Sequence, residues 1–146
     1  MPLQAEEGAV KIKVATSIED GGQKETFELA VFGQYKRKGD SAYLQYDEVL
    51  EEGTVHTTVK IKDGEVLILR SGAVGMRLHF KEGKTTPGTF QSLYGLLQTE
   101  AETKRVDILM DEQIRQGRLG IEYDFKIQDS SAGTYYMNID YKEEQE

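Results

Sequence analysis

The sequence predicts an all-β antiparallel fold, either a sandwich or a barrel. Apolar and polar residues alternate over most of the chain, which is the period of a half-buried strand. Turn-forming segments separate these stretches roughly every 10–15 residues, without the spacing of βαβ units. The chain has 15 Gly and only 2 Pro, which suits many tight turns. Short hairpin loops favour an up-and-down meander, and its closure into a barrel would remove exposed edges.

Residues 66–80 (VLILRSGAVGMRLHF) predict the central hairpin of this fold. The first strand of the hairpin is apolar on both faces, so we expect both faces to be covered. The turn at 71–75 contains Gly72 and Gly75, and glycine adopts positive φ angles without a steric penalty. This hairpin therefore belongs in the middle of a sheet.

The same alternation predicts strands on both sides of that hairpin. Those before it cover residues 10–16, 27–35, 42–49 and 55–61. Those after it cover residues 90–94, 119–127 and 135–141. The basic turn 36–40 is interpreted as a solvated hairpin tip, and Asp63-Gly64 is a strong hairpin signal. Residues 96–116 fit either a helix or a strand that ends in a turn, and periodicity alone does not decide between them.

Size and composition exclude several classes of protein. A chain of 146 residues fits one domain, and without Cys it has no disulfide and no thiolate chemistry. The net charge of −8 argues against nucleic acid as the main partner. No apolar run approaches the length of a membrane span, and the first ten residues do not resemble a signal peptide. We therefore expect a cytoplasmic protein without a membrane partner.

No catalytic or cofactor motif stands out. His56 and His79 are the only histidines, so a zinc site with the usual three or four ligands is not expected. The serines lie outside any G-x-S-x-G elbow, and Gly83-Lys84-Thr85 lacks the earlier glycine of a P-loop. We predict no catalytic residues, no metal and no cofactor, which leans against an enzyme.

The central hairpin and several later positions resemble the YwiB-like family of small bacterial proteins of unknown function. The residues that carry the resemblance are Ser17-Ile18-Glu19-Asp20, Arg70-Ser71-Gly72-Ala73-Val74, Met76, Phe80, Tyr94-Gly95, Thr103 and Ile121-Glu122-Tyr123-Asp124. The resemblance implies a single antiparallel, lipocalin-like (calycin-type) up-and-down barrel of about eight to ten strands. It also implies a strand at residues 99–110, and it brings no established activity. The expected organisation is a flexible N-terminus at 1–8, one β-barrel domain at 9–142 and an acidic tail at 143–146.

Arg70 is the most informative candidate site residue. It ends the central strand on the face shared with Val66 and Ile68, and if that face points inward, its guanidinium needs an acidic side chain or a bound anion. The alternative is a structural arginine that is bonded to backbone carbonyls or that caps one end of the barrel. Further candidate ligand-binding residues, assigned to the interior by alternation, are Tyr35, Tyr94, Tyr123, Tyr135 and Phe125.

Two functions remain open at this point. The favoured one is non-enzymatic binding of a small amphipathic or anionic molecule in the barrel. The alternative is a barrel packed solid that acts as a protein-interaction or homodimerisation module, through an outer patch with Phe32 and Leu67 or Leu69. A barrel of eight strands is just wide enough to be filled or to hold one small ligand, so the sequence does not choose.

Overall fold

A computed structural model describes residues 7–144, and these residues form ten β-strands. The strands are β1 Glu7–Asp20, β2 Gln23–Lys38, β3 Ser41–Leu50, β4 Gly53–Lys62, β5 Glu65–Gly72, β6 Gly75–Phe80, β7 Thr85–Ser92, β8 Gly95–Asp111, β9 Gln116–Ile127 and β10 Ser130–Glu143. Each strand pairs antiparallel with its neighbours in sequence, and β1 pairs with β10 to close a barrel. The prediction of a single all-β antiparallel barrel is confirmed.

The strand bounds extend the predicted domain slightly. Glu7 and Gly8 belong to β1 rather than to a flexible segment, and Glu143 belongs to β10 rather than to a tail. Residues 1–6 and 145–146 of those predicted segments lie outside the described residues. No helix in residues 7–144 has the length and apolar character needed to cross a bilayer.

The undecided segment 96–116 is a strand followed by a turn. β8 runs from Gly95 to Asp111 and pairs with both β7 and β9. The strand at 99–110 that the family resemblance implied is therefore confirmed. The predicted Asp63-Gly64 turn also forms, with φ angles of 53° and 77° that match a tight hairpin.

Buried apolar side chains fill one end of the barrel, which we call the closed end. It carries the β2–β3, β4–β5 and β8–β9 turns. Its fully buried residues include Val10, Ile12, Tyr35, Leu44, Val66, Phe80, Leu119 and Tyr141. The opposite end carries the β1–β2, β3–β4, β5–β6 and β9–β10 turns, and we call it the open end.

The expectation that both faces of the central strand are covered is wrong for this single chain. Val66 and Ile68 of β5 are buried inside the barrel, but Leu69 on the outer face is 37% exposed. A barrel wall is one sheet thick, so nothing in residues 7–144 covers its outside. Phe32 is likewise exposed, and it is separated from Leu69 by β3 and β4. The two side chains therefore do not form one patch.

The wall is incompletely paired between β2 and β3. β2 pairs with β1 from Gln23 to Lys36, but with β3 only over Gly33–Lys38. β3 continues beyond Tyr46 as a hairpin with β4 and leaves β2. Residues 23–32 of β2 therefore have a strand partner on one side only, and we call this edge the open seam. It borders the open end of the barrel.

Candidate ligand site

A cavity of about 480 Å³ lies inside the open end of the barrel. This volume is within the range of small-molecule pockets, roughly 300–1,000 Å³. Its apolar wall is formed by Val14, Phe27, Leu29, Ile68, Met76, Leu78, Met137 and Ile139. Its polar lining is formed by Thr16, Glu28, Tyr46, Glu48, Thr57, Arg70, Tyr123 and Tyr135. The barrel interior is therefore filled at one end and hollow at the other.

An ion pair lies in the polar part of the cavity. Nη2 of Arg70 donates to Oε1 of Glu48 at 3.3 Å, and both side chains are only about a quarter exposed. The strand register explains the pair, because Arg70 is opposite Thr57, and Thr57 is opposite Tyr46, two positions before Glu48. The acceptor that an inward arginine requires is thus an acidic side chain of the same chain.

Three phenols face the same cavity. Burial raises the pKa of Tyr46, and the nearby charge of Arg70 opposes this rise. Burial raises the pKa of Tyr123 and of Tyr135, whose rings stack with centroids 5.1 Å apart. All three groups are therefore neutral phenols near pH 7 and are able to donate hydrogen bonds.

Buried threonines add hydroxyl groups that lack partners. Thr57 lies beside the phenol of Tyr46 yet makes no hydrogen bond of ordinary geometry within residues 7–144. The hydroxyl of Thr103, opposite Tyr123 on the neighbouring strand, is also buried without a partner there. A buried polar group without a hydrogen bond is unfavourable, so the cavity-lining Thr57 favours a hydrogen-bonding partner beside it, whereas Thr103 does not line the cavity.

Tyr35 lies at the closed end, away from the cavity. Its hydroxyl donates to Oε1 of Glu112 at 2.5 Å, and Nη1 of Arg37 donates to the other oxygen of that carboxylate at 2.7 Å. Its ring stacks on Tyr141, with centroids 5.5 Å apart. Burial, reinforced by the bond to Glu112, raises the pKa of Tyr35 to about 12. Tyr35 thus fixes the β8–β9 turn over the closed end.

The prediction that Tyr94 faces the interior is wrong. Tyr94 is in the β7–β8 turn and is 95% exposed. The hydroxyl of Ser92 accepts from the amide of Tyr94 and donates to the carbonyl of Gly95, which forms the turn. Phe125 is buried as predicted, but it packs against Tyr123 and Tyr135 behind the cavity wall. Of the predicted site residues, the cavity brings together Arg70, Tyr123 and Tyr135.

Sequence reasoning missed Tyr46, Glu48 and Thr57 as parts of the site. The signal was present in β3, where Ala42, Leu44, Tyr46 and Glu48 share the inward face by strict alternation. A carboxylate on an inward face, two strands away from an inward arginine, indicates an ion pair between the two side chains. Among 26 acidic residues this signal is visible only when the register is known.

Other chemistry on the described residues is limited to surface features. His56 pairs with Asp47 at 2.7 Å, and His79 pairs with Glu65 at 2.6 Å. The shallow depression beside His79 has a volume of about 260 Å³ and is lined without Ser or Thr, so no hydroxyl nucleophile lies beside the pair. No three His, Asp or Glu side chains within residues 7–144 are grouped to hold a metal. A larger groove of about 860 Å³ lies beside the β8–β9 turn and exposes both charges, including the pair Arg118–Asp140.

Comparison with known proteins gives a consistent result. A family model described as a domain of unknown function (DUF1934) matches residues 12–139. The chain belongs to the DUF1934 family. It is 35% identical to the uncharacterized beta-barrel protein YwiB of Bacillus subtilis (strain 168), over 94% of this chain and 95% of that protein. It is also similar to the crystal structure of the YwiB protein from Bacillus subtilis, with a TM-score of 0.86 and 34% identity over 96% of this chain and 94% of that chain.

The predicted family resemblance is thus confirmed over nearly the whole chain. The family model is described as a domain of unknown function and the relative as an uncharacterized beta-barrel protein, so the comparisons assign no role to the cavity. The relation to lipocalins and calycins and the cytoplasmic location stay predictions.

Proposed function

We propose that this barrel binds a small amphipathic molecule in its cavity without transforming it. The observation that carries the proposal is the division of the cavity lining into an apolar wall and a polar part. Met76, Leu78 and Met137 offer apolar surface, while Arg70, Tyr46 and Tyr135 offer hydrogen-bond donors. A ligand with a short apolar body and a hydrogen-bonding head group satisfies both parts.

The charges of the cavity favour an amphipathic ligand over a purely anionic one. Arg70 already pairs with Glu48, so its charge is compensated within the chain. The inward-facing lining therefore has no net positive charge to attract a strongly anionic ligand. A neutral or zwitterionic head group can accept from the phenols without displacing Glu48 from Arg70.

Native mass spectrometry tests the proposal directly. The protein is purified gently from its own host, and its native mass is compared with its denatured mass. A small additional mass that disappears on denaturation supports a bound ligand and begins to identify it. The neutral fluorescent amphiphile N-phenyl-1-naphthylamine then serves as a probe that such a ligand should displace.

Two adjacent tyrosines provide matched variants for the probe. Tyr135 faces the cavity, whereas Tyr136 is on the opposite face of β10. Tyr135→Phe should weaken binding about 2- to 10-fold, because it removes one hydrogen-bond donor and keeps the ring. Tyr136→Phe should leave binding unchanged. Equal effects of the two substitutions, or binding that survives a Leu78→Arg block of the cavity, would refute the site.

A further inference from the structure

The open seam leaves a long stretch of backbone without a ladder partner. Over residues 23–32, β2 is bonded to β1 on one side, and no strand within residues 7–144 pairs with its other side. The pairing of β1 with β2 shows no register shift, so no bulge twists this edge away. Such an edge is a template for another strand.

The side chains of the open seam do little to prevent pairing. Natural edge strands are protected by prolines, bulges, inward charges or short length. The open seam has no proline, and its last six residues are Phe27-Glu28-Leu29-Ala30-Val31-Phe32. Phe27 is 55% exposed and Phe32 is 65% exposed. The four residues before them, Gln23-Lys24-Glu25-Thr26, are polar, so the edge is apolar and accessible over residues 27–32.

Two-fold symmetry restricts how this edge can pair with itself. In an antiparallel pair of identical strands, one residue must be opposite its own copy. A pair centred on Glu28 sets like charges directly opposite each other, which is destabilising. A pair centred on Leu29 sets Phe27 opposite Val31 on the inner face and Glu28 opposite Ala30 on the outer face. No like charges meet in that register.

We propose that two copies of the chain associate through their open seams, with Leu29 of one opposite Leu29 of the other. The new antiparallel pair joins the two barrels into one continuous sheet. Because Phe27 and Leu29 also line the cavity, the second copy would form the missing part of the wall on its open side. The dimer does not depend on any ligand being bound.

Single cysteines test both the association and its register. The chain has no Cys, so each variant carries one thiol. Leu29→Cys should form an oxidised dimer, because opposed Cα atoms lie about 4.5–5.5 Å apart, within disulfide range. Phe27→Cys is the control, since its two copies would be offset by four residues, roughly 13 Å, which is beyond disulfide reach. Equal cross-linking of both variants would overturn the register.

Charges at Ala30 give a second, reversible test of the unmodified interface. Ala30 faces outward opposite Lys13 of β1, so neither charge disturbs the core. Ala30→Glu sets two Glu–Glu contacts across the dimer and should raise its dissociation constant about 2- to 30-fold. Ala30→Lys faces Glu28 of the second copy and should not raise it.

Light scattering and sedimentation of the full chain measure these constants over a range of concentrations. Within one chain, Glu at position 30 is opposite Lys13 and makes a favourable charge pair, whereas Lys at this position is opposite a like charge. The order of stability of the two variants is therefore the reverse of the order expected for the dimer. Dimer weakening by Ala30→Glu therefore cannot come from a less stable fold. A strict monomer at all concentrations, or a dimer that responds equally to both substitutions, would overturn the proposal.

Discussion

Replacing Arg70 and Glu48 by methionine, singly and together, tests how the cavity ion pair contributes to stability. Methionine is close in length to glutamate and to the aliphatic part of arginine, and it suits the apolar wall formed by Met76 and Leu78. Each single substitution leaves one charge without its partner in the barrel interior. The double substitution leaves neither.

The expected magnitudes follow from the partial burial of the pair. Exposed ion pairs contribute about 0.2–1 kcal/mol, whereas removal of one partner from a buried pair costs about 3–5 kcal/mol. With Arg70 and Glu48 about a quarter exposed, we expect each single substitution to cost about 1–2 kcal/mol. The double variant should cost no more than either single one, because apolar residues replace a desolvated pair.

Urea unfolding followed by far-ultraviolet circular dichroism measures these free energies, since the chain lacks tryptophan. Each 1 kcal/mol should lower the melting temperature by about 2–4 °C in a domain of this size. The reasoning would be refuted if the double variant costs as much as the two single variants together, to within about 0.5 kcal/mol. Arg70 would then act independently of Glu48, and its charge would have another partner.

Three further predictions concern the packing of the barrel. Gly117→Ala should destabilise the protein by about 1–3 kcal/mol, because the new methyl group would lie 2.6 Å from the Tyr141 ring. In the matched variant Gly120→Ala the methyl group meets nothing closer than 3.4 Å, so thermal unfolding should be nearly unchanged. Thr103→Val should leave stability unchanged or raise it by about 1 kcal/mol, because it removes a buried hydroxyl without a partner, and a measured loss would indicate an occupied site. The pKa of Tyr35, raised to about 12 when folded and near 10 when unfolded, should contribute stability that is complete below pH 10 and falls by about 2–3 kcal/mol as the pH rises to 12. Over this pH range the unfolding free energy of Tyr35→Phe should fall less than that of the unsubstituted protein. Equal falls in the two proteins would contradict the assignment.

The architecture could be predicted because alternation and turn residues are local signals. The exception was β8, where periodicity fitted a helix and a strand equally well. The structure supplies the reason: a bulge between Thr103 and Arg105 shifts the alternation by one residue. Thr99, Ala101 and Thr103 face inward before it, and Val106 and Ile108 face inward after it. One inserted residue thus hides the strand period over the whole segment.

The site was less predictable because it depends on register between distant strands. Arg70 could be assigned inward from β5 alone, but its partner Glu48 is identified only when β3, β4 and β5 are aligned. Tyr94 was misassigned because the Ser92 turn ends the alternation two residues earlier than the pattern suggested. The division between the filled and hollow ends depends on side-chain volumes around the whole barrel, which no single strand contains.

Closure through β1 and β10 has a consequence for the order of folding. Nine of the neighbouring strand pairs in the described chain are sequential hairpins, which form between nearby residues as the chain is synthesised. The remaining pair joins Ile12 to Tyr141, so it waits until almost the entire chain has been made. Until then, the free edge of β1 exposes Val10, Ile12 and Val14 beside an incomplete core. We therefore expect closure to be the slow, non-local step, and chains stalled before β10 to be the species most prone to aggregate.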